Sequence, residues 1–305
     1  MKAVVTGATG AVGTALVAEL VKNGVETTVL CRRGSERNNR ISEGRYLHKV
    51  ECSLSELSEL DLGDGYDIFY HLAWEGTTGA SRNDMKLQNR NVSYALDALA
   101  LASRLGCKVF VGAGSQAEYG RVEGALTPDT PAFPENGYGM AKLCAGRMCA
   151  CEAKRLGIRF VWARILSVYG PCDGDGSMVM STVRALLEGR VPDFTAGEQI
   201  WDYMYSKDAA NALYLLGMTE GAKGIYCLGS GEGRPLKEYI YDIRDAVSED
   251  SEIGLGRLPY AEGQVMYLRA DISRLTADTG FVPTVSFKDG IRETVNWYKN
   301  EKGIL

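Results

Sequence analysis

Tyr138 and Lys142 stand four residues apart in "YGMAK", inside a stretch with helical periodicity, so both side chains fall on one helical face. A phenol ordinarily ionises near pH ~10, and a neighbouring ammonium favours the phenolate. That pair would pass a proton to or from a substrate oxygen. Alone, Y-x-x-x-K also describes an ordinary surface pair, and its meaning comes from its company. That company is "FVGAGSQAEYG", residues 110–120, which starts as a buried strand and ends in a glycine-rich loop. Ser115 is expected just past the strand's carboxyl end, where open α/β sheets gather ligands. Its hydroxyl would donate to the same carbonyl oxygen as Tyr138.

A second chemistry lies at the N-terminus, in "TGATGAVG", residues 6–13, with Gly7, Gly10 and Gly13 three apart. An apolar strand precedes them and an apolar-periodic helix follows. Glycines let the backbone approach a pyrophosphate, and the unpaired N–H groups at the next helix's start favour its negative charge. Strand, glycine turn and helix in that order predict a dinucleotide site. The second strand should end near the adenosine ribose, where an acid would hold the 2′-hydroxyl of NAD. The chain instead reads "VLCRRGSER", with Arg32 and Arg33 there. Two cations in that place predict a 2′-phosphate partner, hence NADP(H) in preference to NAD(H), although two solvated arginines after a strand would read the same.

These residues need a scaffold, and the chain supplies one. Strands are predicted over 2–6, 26–31, 46–50, 67–72, 108–112 and 159–163, with helices near 11–23, 83–105 and 138–156. Repeated βα units predict an α/β fold, a Rossmann-type doubly wound parallel sheet. Beyond Gly170-Pro171 the regularity weakens. A cofactor domain over 1–168, with 198–228 returning to it, and a smaller interleaved substrate lobe over 169–305 are expected.

Composition narrows the partners. With 305 residues and a formal net charge of −5, the chain has ample apolar content for a core and no overall attraction for nucleic acid or an anionic membrane. Small molecules are the expected partners. No apolar run is long enough to span a bilayer and no leader pattern opens the chain, so a cytoplasmic location is expected. Eight scattered cysteines and two histidines, His48 and His71, show no metal-ligand spacing, and no metal is predicted.

Taken together, "TGATGAVG", "DIFYHLAW", "FVGAGSQAEYG", "YGMAK", "RILSVYGP", "WDYMYSKDAANA" and "YCLGSG" resemble, in content and order, the extended short-chain dehydrogenase/reductases. That family includes nucleotide-sugar epimerases, dehydratases and 4-keto reductases, and the resemblance covers nearly the whole chain. It implies a catalytic Ser115, Tyr138 and Lys142. It implies a pyrophosphate loop of Gly7, Gly10 and Gly13, a cofactor wall at Leu72 and Ala73 beside a non-catalytic His71, and a cofactor role for Asn91. Ser53 stands where many relatives carry an aspartate toward adenine. It also implies a homodimer through the helices near 83–105 and 138–156.

Departures from the family pattern sharpen the choice. Gln116-Ala117 follow Ser115 where dehydratases carry Asp-Glu, which disfavours dehydration. Trp201-Asp202 replace the usual Arg-Asp, and "YAEGQVMY" lacks a later arginine, so Gln116, Arg184, Trp201, Lys207 and Arg269 become the candidate substrate contacts. Arg234 is a further candidate cation. The expected function is NADPH-dependent reduction of a nucleotide-activated 4-keto-6-deoxy sugar. A nucleotide-sugar epimerase with bound NAD is the alternative, and an NADP-sensing regulatory module is the non-enzymatic one; the intact Ser115, Tyr138 and Lys142 argue against the last.

Overall fold

In the computed structural model, which describes residues 1–304, the chain alternates strand and helix as its periodicity predicts. The first half runs β1 (Lys2–Thr6), α1 (Ala11–Lys22), β2 (Glu26–Cys31), β3 (Leu47–Glu51), β4 (Ile68–His71), α2 (Met85–Arg104), β5 (Val109–Ser115), α3 (Gly137–Leu156) and β6 (Arg159–Ile165). The rest runs β7 (Ser167–Tyr169), α4 (Met178–Leu187), β8 (Ile200–Trp201), β9 (Tyr203–Tyr205), α5 (Ser206–Met218), β10 (Gly224–Leu228), β11 (Arg234–Pro235), α6 (Leu236–Val247), α7 (Ser273–Thr279) and α8 (Phe287–Lys302).

Seven strands form one parallel sheet in the order β10-β6-β5-β4-β1-β2-β3. Alternation along β1 sends Val5 to one face and Val4 to the other. Val5 meets Leu16 and Leu20 of α1 and Leu213 and Leu216 of α5. Val4 joins Phe69, Phe110 and Trp162 under α2 and α3. Alanines at 95, 98 and 102 on α2 and at 141, 145 and 153 on α3 keep that second layer tight against the strands. Both long helices start on side-chain caps that satisfy otherwise unpaired N–H groups: Asp84 accepts from Lys86 and Leu87, and Asn136 accepts from Gly139. The second cap fixes where α3 begins, and with it the place of Tyr138.

β5 runs three residues further than its predicted end, so Ser115 is the last residue of the strand itself rather than part of the loop beyond it. The buried pairing of Ser115 with Ile165 on β6 holds that extension.

A second apolar core joins Tyr169, Val179, Val183, Tyr205, Ile243, Ile291 and Val295 from β7, α4, β9, α6 and α8. The guanidinium of Arg40 donates to the carbonyls of Thr9, in the turn after β1, and Cys172, after β7, at 3.0 and 3.2 Å. Among the described residues no helix is long and apolar enough to cross a membrane.

Candidate active site

The glycine turn between β1 and α1 opens onto a cleft of about 310 Å³. Its glycines have separate reasons. A Cβ on Gly7, which also has φ +73°, would lie 2.6 Å from the Ala73 nitrogen, and one on Gly13 would lie 2.1 Å from the Gly7 carbonyl oxygen. Those two let the turn, the helix and the β4 end pack together. A Cβ on Gly10 would meet nothing within 4 Å, so that backbone faces open space, and no side chain caps the start of α1. The cradle suits a dinucleotide pyrophosphate.

Along the cleft lie Arg32, Ser35, Arg37 and Asn38 after β2, Ser53 after β3, and Leu72, Ala73, Trp74 and Glu75 after β4. Arg33 does not line it. Gly34, at φ +63°, turns the chain there, and Arg33 pairs with Glu56 at 3.3 Å. Arg37 takes the place beside Arg32, which the run "CRRGSER" permitted but spacing alone did not single out. Asn91 is buried behind the wall: its amide oxygen accepts from the Glu75 N–H and its nitrogen donates to the Glu75 carbonyl, both at 2.9 Å. It acts on the cleft through that backbone. His71 is also buried, with Nδ1 on the Thr6 hydroxyl, and burial pulls it down to about 3, so it stays neutral.

Beyond the wall, the end of β5 and the first turn of α3 bring Ser115, Tyr138 and Lys142 together. The Ser115 hydroxyl oxygen accepts from the Ala117 N–H at 3.2 Å, which leaves its proton free to donate outward. Lys142 is buried; its Nζ donates to the Ala113 carbonyl at 2.6 Å and sits 3.8 Å from the centre of the Trp74 ring. Burial pulls Lys142 down to about 7 while Glu118 opposes. Burial also raises Tyr138, partly offset by the Ser115 hydroxyl and the Arg82 guanidinium. Two ammonium protons of Lys142 remain for a ligand such as ribose hydroxyls.

Two groups of supporting residues, around Glu118 and around Trp74, escaped the sequence reading. Glu118 is fully buried; it accepts from the Ser115 backbone N–H (2.8 Å), Trp162 Nε1 (2.9 Å) and Arg164 Nε (2.7 Å). With Ser115 it forms a reciprocal S-x-x-E cap on the short turn at 116–118, a signal present in "SQAE". Because every oxygen of Glu118 is engaged, it does not stand in for the acid pair of a dehydratase. Trp74 Nε1 donates to the buried Gln88 at 2.8 Å, and its ring meets Tyr138 edge-on.

The candidate substrate contacts divide. Gln116 is half-buried directly beside Ser115, and the Trp201 ring nitrogen donates to Ser167 at 2.8 Å, near the end of β6. Arg184 is half-buried on α4 and Arg269 is exposed, with no ion pair to either among the described residues. Lys207 is not available in the same way: it pairs with Glu293, which also holds Tyr205, beside α1 and α5. Arg234 likewise pairs with Asp242 and lies on the Tyr239 ring.

Comparison with known proteins agrees with this layout. The model of the NAD dependent epimerase/dehydratase family matches residues 3–229. A dTDP-glucose 4,6-dehydratase from Streptomyces griseus is 25% identical over 312 residues, covering 98% of this chain and 94% of its own. Among solved structures, a UDP-N-acetylglucosamine 4-epimerase from Methanobrevibacter ruminantium M1, in complex with UDP-N-acetylmuramic acid, superimposes with a TM-score of 0.88 at 22% identity, over 98% of both chains. A UDP-glucuronic acid 4-epimerase from Bacillus cereus, in complex with UDP-glucuronic acid and NAD, gives 0.86 at 22%, over 99% of this chain and 100% of that one. The chain belongs to the NAD dependent epimerase/dehydratase family and is an NAD(P)-dependent enzyme of the extended short-chain dehydrogenase/reductase type.

Proposed function

We propose that the protein is an NADPH-dependent reductase of a nucleotide-activated 4-keto-6-deoxy hexose. One observation carries the cofactor half of this reading. Among the described residues lining the cleft after β2, the charged ones are Arg32 and Arg37, and the lining acid, Glu75, lies at the β4 end. A 2′-phosphate finds cations there, and the carboxylate that would hold a bare ribose is missing.

When bound, the nicotinamide supplies the hydride. The chain's own residues supply the rest. Tyr138 gives its proton to the carbonyl oxygen as charge develops there, and the free Ser115 proton stabilises the same oxygen. Lys142, anchored by the Ala113 carbonyl, holds the cofactor's ribose. Gln116, Trp201, Arg184 and Arg269 are the candidate contacts for sugar, base and diphosphate. The exposed faces of α2 and α3 would pair two copies, as the family resemblance implies.

A second reading, a nucleotide-sugar epimerase with bound NAD, is favoured by the withdrawal of Arg33 onto Glu56, and by the NAD in the complex named for the Bacillus cereus neighbour. Following the cofactor separates the two. The purified protein, denatured, should release little NAD, and NADPH absorbance should fall only when dTDP-4-keto-6-deoxyglucose or its UDP or CDP counterpart is added. Near-stoichiometric NAD, with interconversion of a UDP-hexose and no net NADPH loss, would establish the epimerase instead.

A further inference from the structure

Tyr138 needs positive charge nearby to give up and regain its proton near neutral pH, and Lys142, on the same helix, is one source of it. Its Nζ lies 5.9 Å from the Tyr138 ring centre, turned to the Ala113 carbonyl and the Trp74 face. Another cation is closer. The Arg82 guanidinium lies 4.5 Å from the centre of the same ring. Its one hydrogen bond, to the Thr77 carbonyl, is long at 3.5 Å, and no carboxylate among the described residues pairs with it.

The placement is built rather than incidental. Arg82 belongs to the short turn at Gly79–Asn83, which is tied down on both sides. The Ser81 carbonyl accepts from buried Gln88, and the Asn83 side chain accepts from the Gly137 N–H at 3.0 Å, one residue before Tyr138. The carrier of the guanidinium and the helix that carries the phenol are therefore joined at the point where they meet. A guanidinium on an aromatic face is attracted by the ring and more strongly by a phenolate.

We propose that Arg82 is a positioning residue for the reaction, laid on Tyr138 to add a second positive charge, beside that of Lys142, against which the phenol exchanges its proton. The proposal rests on the reading of Tyr138 as proton carrier. The other groups facing Tyr138 are Lys142 on its own helix, the Ser115 hydroxyl, the Trp74 edge and Glu118. The Glu118 charge opposes ionisation but is compensated by Arg164.

The test is a titration that needs no substrate. With tyrosines labelled at Cζ with carbon-13, the Tyr138 resonance is assigned by its loss in Tyr138→Phe, and its shift is followed against pH. Arg82→Gln should move the midpoint up by about one pH unit, a roughly tenfold change in the ionisation constant. Arg82→Lys should restore at least half of that. Arg82→Met, which keeps an apolar stem on the ring, gives the same readout should the glutamine variant not fold. Superimposed midpoints in parent and charge-free variant would overturn the proposal, as would a shift that lysine leaves unrepaired. Failure of the underlying reading looks different: Tyr138→Phe would retain turnover of dTDP-4-keto-6-deoxyglucose while the midpoints still judged Arg82.

Discussion

Arg164 Nε lies 2.7 Å from Glu118 Oε2, with both side chains at 1% exposure or less, and the same carboxylate accepts from the Ser115 backbone N–H. Removing one charge strands the other, at a cost of about 3–5 kcal/mol, whereas removing both in volume-matched form costs far less. Glu118→Gln should therefore lower the denaturation midpoint sharply, and adding Arg164→Met should recover most of it. Equal losses in the single and double variants would mean that the pair does not act as a unit.

Tyr138→Phe keeps the ring between Trp74 and Arg82 and removes only the hydroxyl proposed as the proton source. NADPH affinity should stay within about twofold, while turnover falls by about 10²–10⁴. Turnover within a few-fold of the parent would remove Tyr138 from the mechanism.

Lys142 gives a stability test with a definite sign. Burial holds it at about 7, and in the unfolded chain it titrates near ~10.4. Between those values the unfolded chain binds more protons, so this group's contribution makes stability rise with pH, and its destabilising effect is complete below the folded value. Lys142→Met should raise the melting temperature of the cofactor-free protein by about 2–4 °C below neutrality and by less toward pH ~10. A rise independent of pH, by differential scanning fluorimetry, would contradict the depressed ionisation. The same variant should lose cofactor affinity and rate together.

Cofactor choice should follow the cleft and not the dipeptide. Arg32→Ala and Arg37→Ala should each reduce the preference for NADPH over NADH, by about tenfold if each makes one charge-assisted contact. Arg33→Ala, which loses an exposed pair with Glu56, should change it little. Fluorescence titration of the four forms at one salt concentration decides this, and equal parental affinities would end the NADP reading.

Gly10→Ala and Gly13→Ala should separate binding from folding. Alanine at Gly10 meets open space and should leave the melting temperature nearly unchanged while weakening cofactor binding. At Gly13 it would collide with the Gly7 carbonyl, and the protein should be destabilised before any ligand is present. Similar melting curves for both would show the turn to be looser than its contacts imply.

The glycine turn and the pairing of Tyr138 with Lys142 were legible because each depends on local spacing: strand, turn and helix within a dozen residues, or two side chains one helical turn apart; Ser115, on a separate strand, joined them through its place at that strand's end and through the family resemblance. Arg33 points away from the cleft lining, because its direction depends on Gly34 just beyond it and on Glu56 across the loop. Lys207 looked free because its partner, Glu293, is 86 residues away. The Glu118–Arg164 pair spans 46 residues, and although its S-x-x-E half was visible, nothing in the chain announced which arginine would reach it. Arg82 carries no motif at all; only the tie from Asn83 to Gly137 shows where it lands.

The two apolar cores also constrain how such an enzyme can be re-engineered. The chain leaves the sheet after β6 to build α4, returns for α5 and β10, departs for α6, sends Leu275 and Phe281 back against the sheet, and ends in α8, packed with α4 and α6. No single cut separates the body that holds the cofactor cleft from the body that carries α4. A block of sequence grafted from a relative would bring part of the sheet's packing with it, so if the proposed substrate contacts hold, a new specificity is more readily reached by point substitutions around Trp201 and Gln116 than by recombination.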